Sequence, residues 1–195
     1  MKRLVQITQC IIYAIAVFTF TNVYAQEDAP LGNIAIGINF GYNDFTDVPG
    51  SDDETDGICA SLNIYKKITN ELPLYLGFEY ASASSGALFG STSLDLIGFG
   101  VNLKYVKELS PKFIVDFGAG GFYSEADFDV SNLFGPDIHE SDWIYGGQIF
   151  GDIFWKFGRF VLGVQGQYQI TEKFKDLGFD FTNYRLSGQF GVLFF

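Results

Sequence analysis

From Ile34 onward the chain alternates between apolar and small or polar residues. Ile34, Ile36, Ile38, Phe40 and Tyr42 interleave with Ala35, Gly37, Asn39, Gly41 and Asn43, a period of two that an extended strand sorts onto opposite faces. The rhythm returns at Ile58, Ala60, Leu62, Ile64, then at Leu74, Leu76, Phe78, Tyr80, then at Ile97, Phe99, Val101, Leu103, Tyr105. It continues at Phe113, Val115, Phe117, at Trp143, Tyr145, Ile149, Ile153, Trp155, at Phe160, Leu162, Val164, Tyr168, Ile170, and finally at Tyr184, Leu186, Phe190, Val192, Phe194. These runs predict eight strands and no helix of consequence after residue 30. Leu94 and Leu96 stand one residue out of phase with the run from Ile97 to Tyr105, which predicts a β-bulge near Leu96-Ile97.

The opposite face decides which side of the strands meets water. A soluble barrel points its apolar face inward and covers its outside with Lys and Glu. Here the second face is mostly small and neutral: Gly37, Asn39, Gly41, Ser61, Asn63, Gly77, Gly98, Gly100, Asn102, Gly118, Gly120, Gln148, Gln165, Gln167, Gln169, Ser187 and Gln189. Tyr75, Ile114, Phe150 and Phe154 are its bulky members. Its charges are Glu79, Asp116 and Asp152 against Lys104, Lys156 and Arg185, three acids that can pair with three bases. Such a face suits a narrow, filled interior, leaving the bulky residues against lipid, where only a closed barrel satisfies every backbone donor and acceptor. Tyr42, Tyr80, Tyr123, Trp143, Tyr145, Tyr168 and Tyr184 then form one aromatic rim, and Tyr105, Phe113, Trp155 and Phe160 the other. The fold class expected is therefore all-β: an eight-stranded antiparallel up-and-down transmembrane barrel. An interior of that size is filled by side chains, with no large pore.

Connection lengths alternate in step with this reading. Those around 44–57, 84–92, 124–142 and 172–183 are long, and those near 66–73, 106–112 and 157–159 are short. Acids crowd the long set, at Asp44, Asp47, Asp52, Asp53, Glu54, Asp56, Glu125, Asp127, Asp129, Asp137, Glu140 and Asp142. Lys66, Lys67, Lys107, Lys112 and Arg159 lie in the short set. Outer-membrane barrels have short periplasmic turns and long surface loops, so the acidic loops face outward from the cell.

Composition adds a compartment and removes a partner class. The 195 residues carry a net charge of −11 and only 18% charged side chains, with 22 Phe, 11 Tyr and 23 Gly. Nucleic acid is not a partner for so acidic a chain. Lys2 and Arg3, the apolar run Cys10–Thr21 and Val23-Tyr24-Ala25 before Gln26-Glu27-Asp28 have the form of a secretory signal peptide over 1–25. The expected organisation is signal peptide 1–25 and barrel domain 26–195. Cleavage there leaves one cysteine, Cys59, and no intrachain disulfide.

Signal peptide, eight amphipathic strands, acidic long loops and the ending Phe190-Gly191-Val192-Leu193-Phe194-Phe195 together resemble the small outer-membrane β-barrel proteins of Gram-negative bacteria, the OmpX and OmpA membrane-domain type. The resemblance covers the whole chain after the signal peptide. It implies localisation in the bacterial outer membrane, contact with outer-membrane lipid and lipopolysaccharide, insertion by the barrel-assembly machinery through the terminal aromatic signal, and a monomer. The alternation ends on Phe194, one residue before the terminus, where that family's signal residue is the last.

Candidate chemistry is sparse. His139-Glu140-Ser141 resembles the His-x-Ser of outer-membrane lipid A deacylases, with Asp142 where that family has Asn and Asp152 as the nearest strand acid. A triad needs an acid to orient the histidine and a base beside the serine. No second histidine is present. Asp52-Asp53-Glu54-Thr55-Asp56-Gly57 has the opening of a calcium loop, but Asn63 occupies the twelfth position, where a bidentate Glu belongs. We therefore expect no catalytic, cofactor-binding or metal-binding residues and no cofactor. The leading expectation is a non-enzymatic barrel with a structural or surface-interaction role. The alternatives are a lipid A-modifying enzyme and a soluble secreted β-barrel binding an apolar ligand.

Overall fold

A computed structural model describes residues 30–46, 56–69, 71–86, 92–130, 138–173 and 181–195. The signal peptide expected over 1–25 and residues 52–55 of the candidate calcium loop lie outside them. Eight strands follow in order: β1 (Ile34–Phe45), β2 (Asp56–Lys67), β3 (Leu74–Gly86), β4 (Thr92–Ser110), β5 (Phe113–Val130), β6 (Ile138–Phe157), β7 (Phe160–Thr171) and β8 (Asn183–Phe194). Each pairs antiparallel with its sequence neighbour, and β8 pairs with β1 to close the barrel. Closure leaves no free edge along the shared height of the wall.

The register fixes the shape. Stepping between direct partners from Ile34 leads to Lys66, Leu76, Leu103, Ala119, Ile149, Tyr168 and Tyr184, and returns to β1 at Asp44, ten residues higher. Ten residues of rise against eight inter-strand spacings give a strand tilt of about 41° and a backbone radius of about 8 Å. At that tilt each residue climbs about 2.5 Å along the axis and each ladder step about 3 Å. The interior has room for side chains and little else.

The alternation sorts as expected over the middle of the wall. Asn39, Asn63, Glu79, Asn102, Lys104, Gln148, Gln165 and Gln189 are buried inside, whereas Ile38, Phe40, Val101, Phe117, Ile149 and Leu162 are exposed on the outside. Apolar clusters bound this polar layer at both ends. One joins Leu31, Ala35, Tyr65, Tyr75, Val106, Ile114, Phe154, Val161 and Leu193. Tyr75 ties the entering chain into it: its hydroxyl accepts from Leu31 N at 3.2 Å and donates to Gly32 O at 3.0 Å. The other joins Phe45, Cys59, Ala83, Leu94, Leu96, Ala126, Phe128, Ile144 and Phe181.

That second cluster corrects two expectations. No bulge occurs at Leu96-Ile97: Ala83↔Leu96 and Ser82↔Ile97 continue one register, and the irregularity in β4 lies between Glu108 and Ser110. Leu94 and Leu96 keep phase with inward Gly98 and Asn102. What changes is the character of the two faces, since toward this end of the barrel the inner face becomes the apolar one. For the same reason the connection expected over 124–142 is largely strand. Glu125, Asp127 and Asp129 alternate with inward Ala126 and Phe128, so β5 runs to Val130 and β6 starts at Ile138.

Candidate functional site

Three surfaces could carry function: the polar interior, the outer wall, and the ribbon that β4, β5 and β6 raise above the other strands.

Inside, the expected pairing of three acids with three bases is only partly realised. Lys104 Nζ lies 2.8 Å from Asp116 Oδ2 and 3.9 Å from Asp152 Oδ2, and 3.9 Å from the centre of the Tyr65 ring. Gln189 donates to Asp152 Oδ1 at 3.0 Å. Among the described residues Glu79 takes no base. Its Oε2 accepts from Asn102 Nδ2 at 3.0 Å and Gln148 Nε2 at 2.7 Å. Arg185 Nε donates to Asn183 Oδ1 at 3.1 Å, and Lys156 Nζ donates to Pro30 O at 3.2 Å. Gln148 also accepts from Gln167 at 2.9 Å and Gln169 at 2.6 Å, and Glu79, Gln148, Gln169 and Arg185 line one small cavity. Interior cavities beside Lys104 and beside Glu79 measure about 30 and 10 Å³, each the scale of one water.

The outer wall presents cross-strand aromatic pairs at two heights. Tyr168 stacks on Tyr184 at 4.5 Å and Tyr123 on Trp143 at 4.8 Å near one end. Phe113 stacks on Trp155 at 5.8 Å, and Tyr105 meets Phe117 at 5.5 Å, near the other. By the tilt and register these belts lie about 20–25 Å apart along the axis, the height of the apolar band of an outer-membrane barrel. Between them Ile38 is 58% and Phe40 66% exposed. A continuous surface of this kind is stable only against an apolar solvent.

Above the upper belt the ribbon stands about 15–20 Å further out. Its outer face carries Asp95 directly opposite Asp127, Glu125 opposite Trp143, and Asp129 opposite His139. His139 Nδ1 contacts the Asp129 carboxylate, and this hydrogen bond, then the charge of the same group, raises the imidazole pKa above 6.5. His139 is not joined to the other members of the deacylase-like set. Ser141 lies opposite Asp127, and Asp152 is buried inside the barrel, thirteen residues further along β6. Nor does the calcium-loop spacing close, because Asn63 is buried in the interior, donating to Ser61 Oγ at 2.9 Å, while Asp56 is exposed at the start of β2. Among the described residues no cluster of three or more His, Cys, Asp or Glu side chains is placed to hold a metal.

No protein-family model and no curated protein sequence matches the chain. Solved structures do. Neisserial surface protein A superposes with a TM-score of 0.64 at 16% identity, over 83% of this chain and 97% of that one. The attachment invasion locus protein Ail of Yersinia pestis gives 0.54 at 14% identity, over 82% and 97%. The outer membrane protein OprG of Pseudomonas aeruginosa gives 0.53 at 13%, over 82% and 95%. The fold is thus that of the small eight-stranded outer-membrane β-barrels.

Proposed function

We propose that this chain is a non-enzymatic, monomeric barrel of the bacterial outer membrane, which contributes to the membrane's structure and presents its acidic β4–β6 ribbon at the cell surface. The carrying observation is the inversion along the wall. Over the middle of the barrel apolar side chains point out and polar ones in, whereas in the ribbon the carboxylates of Asp95, Glu125, Asp127 and Asp129 point out and Leu94, Leu96, Ala126 and Phe128 point in. That is the pattern of a molecule half in hydrocarbon and half in water. Two structural neighbours bear the names of a surface protein and an attachment invasion locus protein, and the acidic ribbon gives this chain a surface of comparable kind.

The apolar clusters at both ends of the lumen support a role that does not depend on conduction. Lipid and lipopolysaccharide are the partners along the wall, and the barrel-assembly machinery is the partner for insertion. Fractionation tests the placement: the protein is expected in outer membranes and resistant to extraction by carbonate, and recovery in the soluble periplasm would refute it. Planar bilayers test the lumen. No large, stable conductance steps are expected, and steps of porin size would overturn a sealed interior. Lipid A spectra that change with expression would favour the enzyme reading.

A further inference from the structure

The glycines of the wall fall into two sets. At inward Gly41, Gly98, Gly120 and Gly163 an added Cβ would collide with a backbone oxygen of the neighbouring strand: Leu186 O, Tyr123 O, Val101 O and Ile153 O. Tight packing requires those glycines. Outward Gly121, Gly147, Gly151 and Gly166 have no such reason: a Cβ there would meet nothing closer than 3.5 Å, and at Gly166 nothing within 4 Å. Gly188, opposite Phe40 and Val164, is likewise open, and the rest of the face is mostly Ile, Leu, Val and Phe, which strands favour over Gly.

These outward glycines pair directly across strands, Gly121 with Gly147 and Gly151 with Gly166. Beneath the first pair the wall opens into a hollow of about 840 Å³ floored by Ala119, Gly151 and Gly166 and walled by Leu103, Tyr105, Phe117, Ile149, Tyr168 and Tyr184. By tilt and register Gly151 and Gly166 lie at mid-height between the belts. The path from Gly147 down to Tyr105 covers about 17 Å, close to the depth of one leaflet, about half of a 30 Å hydrocarbon core. Gly121 and Gly147, without side chains, stand in the next row above its lining residues Ala119 and Ile149, toward the extracellular belt. Its lower end is bounded by Leu74 and the Tyr105–Phe117 contact.

We infer that this hollow seats an acyl chain of a lipid in the outer leaflet, entering past Gly121 and Gly147 and ending over Gly151 and Gly166. At this height the surroundings are hydrocarbon, the lining is apolar apart from the tyrosine hydroxyls and the inward-facing residues Gln167 and Arg185 at its base, and the opening faces the outer leaflet. A second copy of the chain does not fit. A two-fold axis along the membrane normal sets equal heights together, so hollow would face hollow and leave a void.

The inference rests on the membrane-spanning reading, and one experiment separates the two. The barrel is placed in phosphatidylcholine nanodiscs doped with phosphatidylcholine carrying a nitroxide near the chain end, and amide relaxation is measured by NMR. The amides of Gly151 and Gly166 should relax severalfold faster than those of Ile38 and Leu62, which lie at similar height on the opposite wall, and the excess should saturate as the labelled fraction rises. Gly166→Leu should reduce the excess to the level of Ile38. A nitroxide near the carbonyl should act in excess on Gly121 and Gly147, and an excess at Phe113 instead would refute the outer-leaflet entry. Equal relaxation at equal height in the unsubstituted protein would refute the seat. Intermolecular cross-links through Gly151→Cys would replace it with a dimer. Failure to insert into the discs would refute the membrane reading itself.

Discussion

Replacing Lys104 with Met tests whether the interior is held by its charges. Lys104 is 3% exposed, with the Asp116 carboxylate 2.8 Å and the Asp152 carboxylate 3.9 Å from its ammonium. At an effective dielectric of about 20 these attractions are worth about 6 and 4 kcal/mol before the cost of desolvating all three groups is subtracted. Met keeps most of the side-chain volume over Tyr65 and removes the charge, so two carboxylates on directly paired positions of β5 and β6 are left facing each other. Breaking a buried pair in this way costs about 3–5 kcal/mol, because the abandoned charges lie in an interior with room for about one water. Urea unfolding in lipid vesicles, followed through Trp143 and Trp155, should show a loss of that size. Adding Asp116→Asn should recover part of it, since one of the two uncompensated charges is then gone. A loss below about 1 kcal/mol, or a double variant as unstable as Lys104→Met alone, would refute the account.

Further expectations concern the wall and the ribbon. Gly120→Ala, whose Cβ would strike Val101 O, should cost about 1–3 kcal/mol by overpacking, while Gly166→Ala should be neutral or gain about 0.4–1 kcal/mol; equal effects in the same unfolding assay would contradict the inward and outward assignment. Val101→Arg, mid-height on the lipid face, should cost about 2–4 kcal/mol, and a cost near zero would mean that this wall meets water. Asp95→Lys removes a like charge directly opposite Asp127 and should stabilise the ribbon by about 0.2–1 kcal/mol, seen as slower amide exchange at Asp127 and Ser141. His139 is the sole histidine, so its ring titration is a single NMR curve. Its pKa should lie above 6.5 and fall on Asp129→Asn. Because folding raises this pKa, the pair's contribution is complete below about pH 6.5 and is lost as pH rises through the folded value; an unshifted curve in Asp129→Asn would remove Asp129 as the cause.

Strand number, order and facing could be read from the chain because each depends on local periodicity. A residue at Ile38 or Val101 has its face set by its neighbours two positions away, and the choice between inside and outside followed from the scarcity of Lys and Glu on the polar face. The ribbon was harder to read. Glu125, Asp127 and Asp129 looked like loop acids, and Leu94 and Leu96 like a slipped strand, yet both belong to strands whose inward face has turned from polar to apolar. The signal was present in Leu94, Leu96, Ala126, Phe128 and Ile144, all in phase with the inward set below them.

The amino-acid sequence by itself therefore determined an eight-stranded alternating chain, its small polar interior, its two aromatic belts and the side on which acids gather, all of which depend on residue type and spacing along one strand. Tertiary structure alone decided what lies across from what. It seated Lys104 between Asp116 and Asp152 and gave Glu79 to Asn102 and Gln148 instead of Arg185. It also brought the separated glycines of β5, β6 and β7 into one hollow. These depend on a closed register displaced by ten residues, and that displacement is set by all eight strands pairing at once, a condition that no single segment carries.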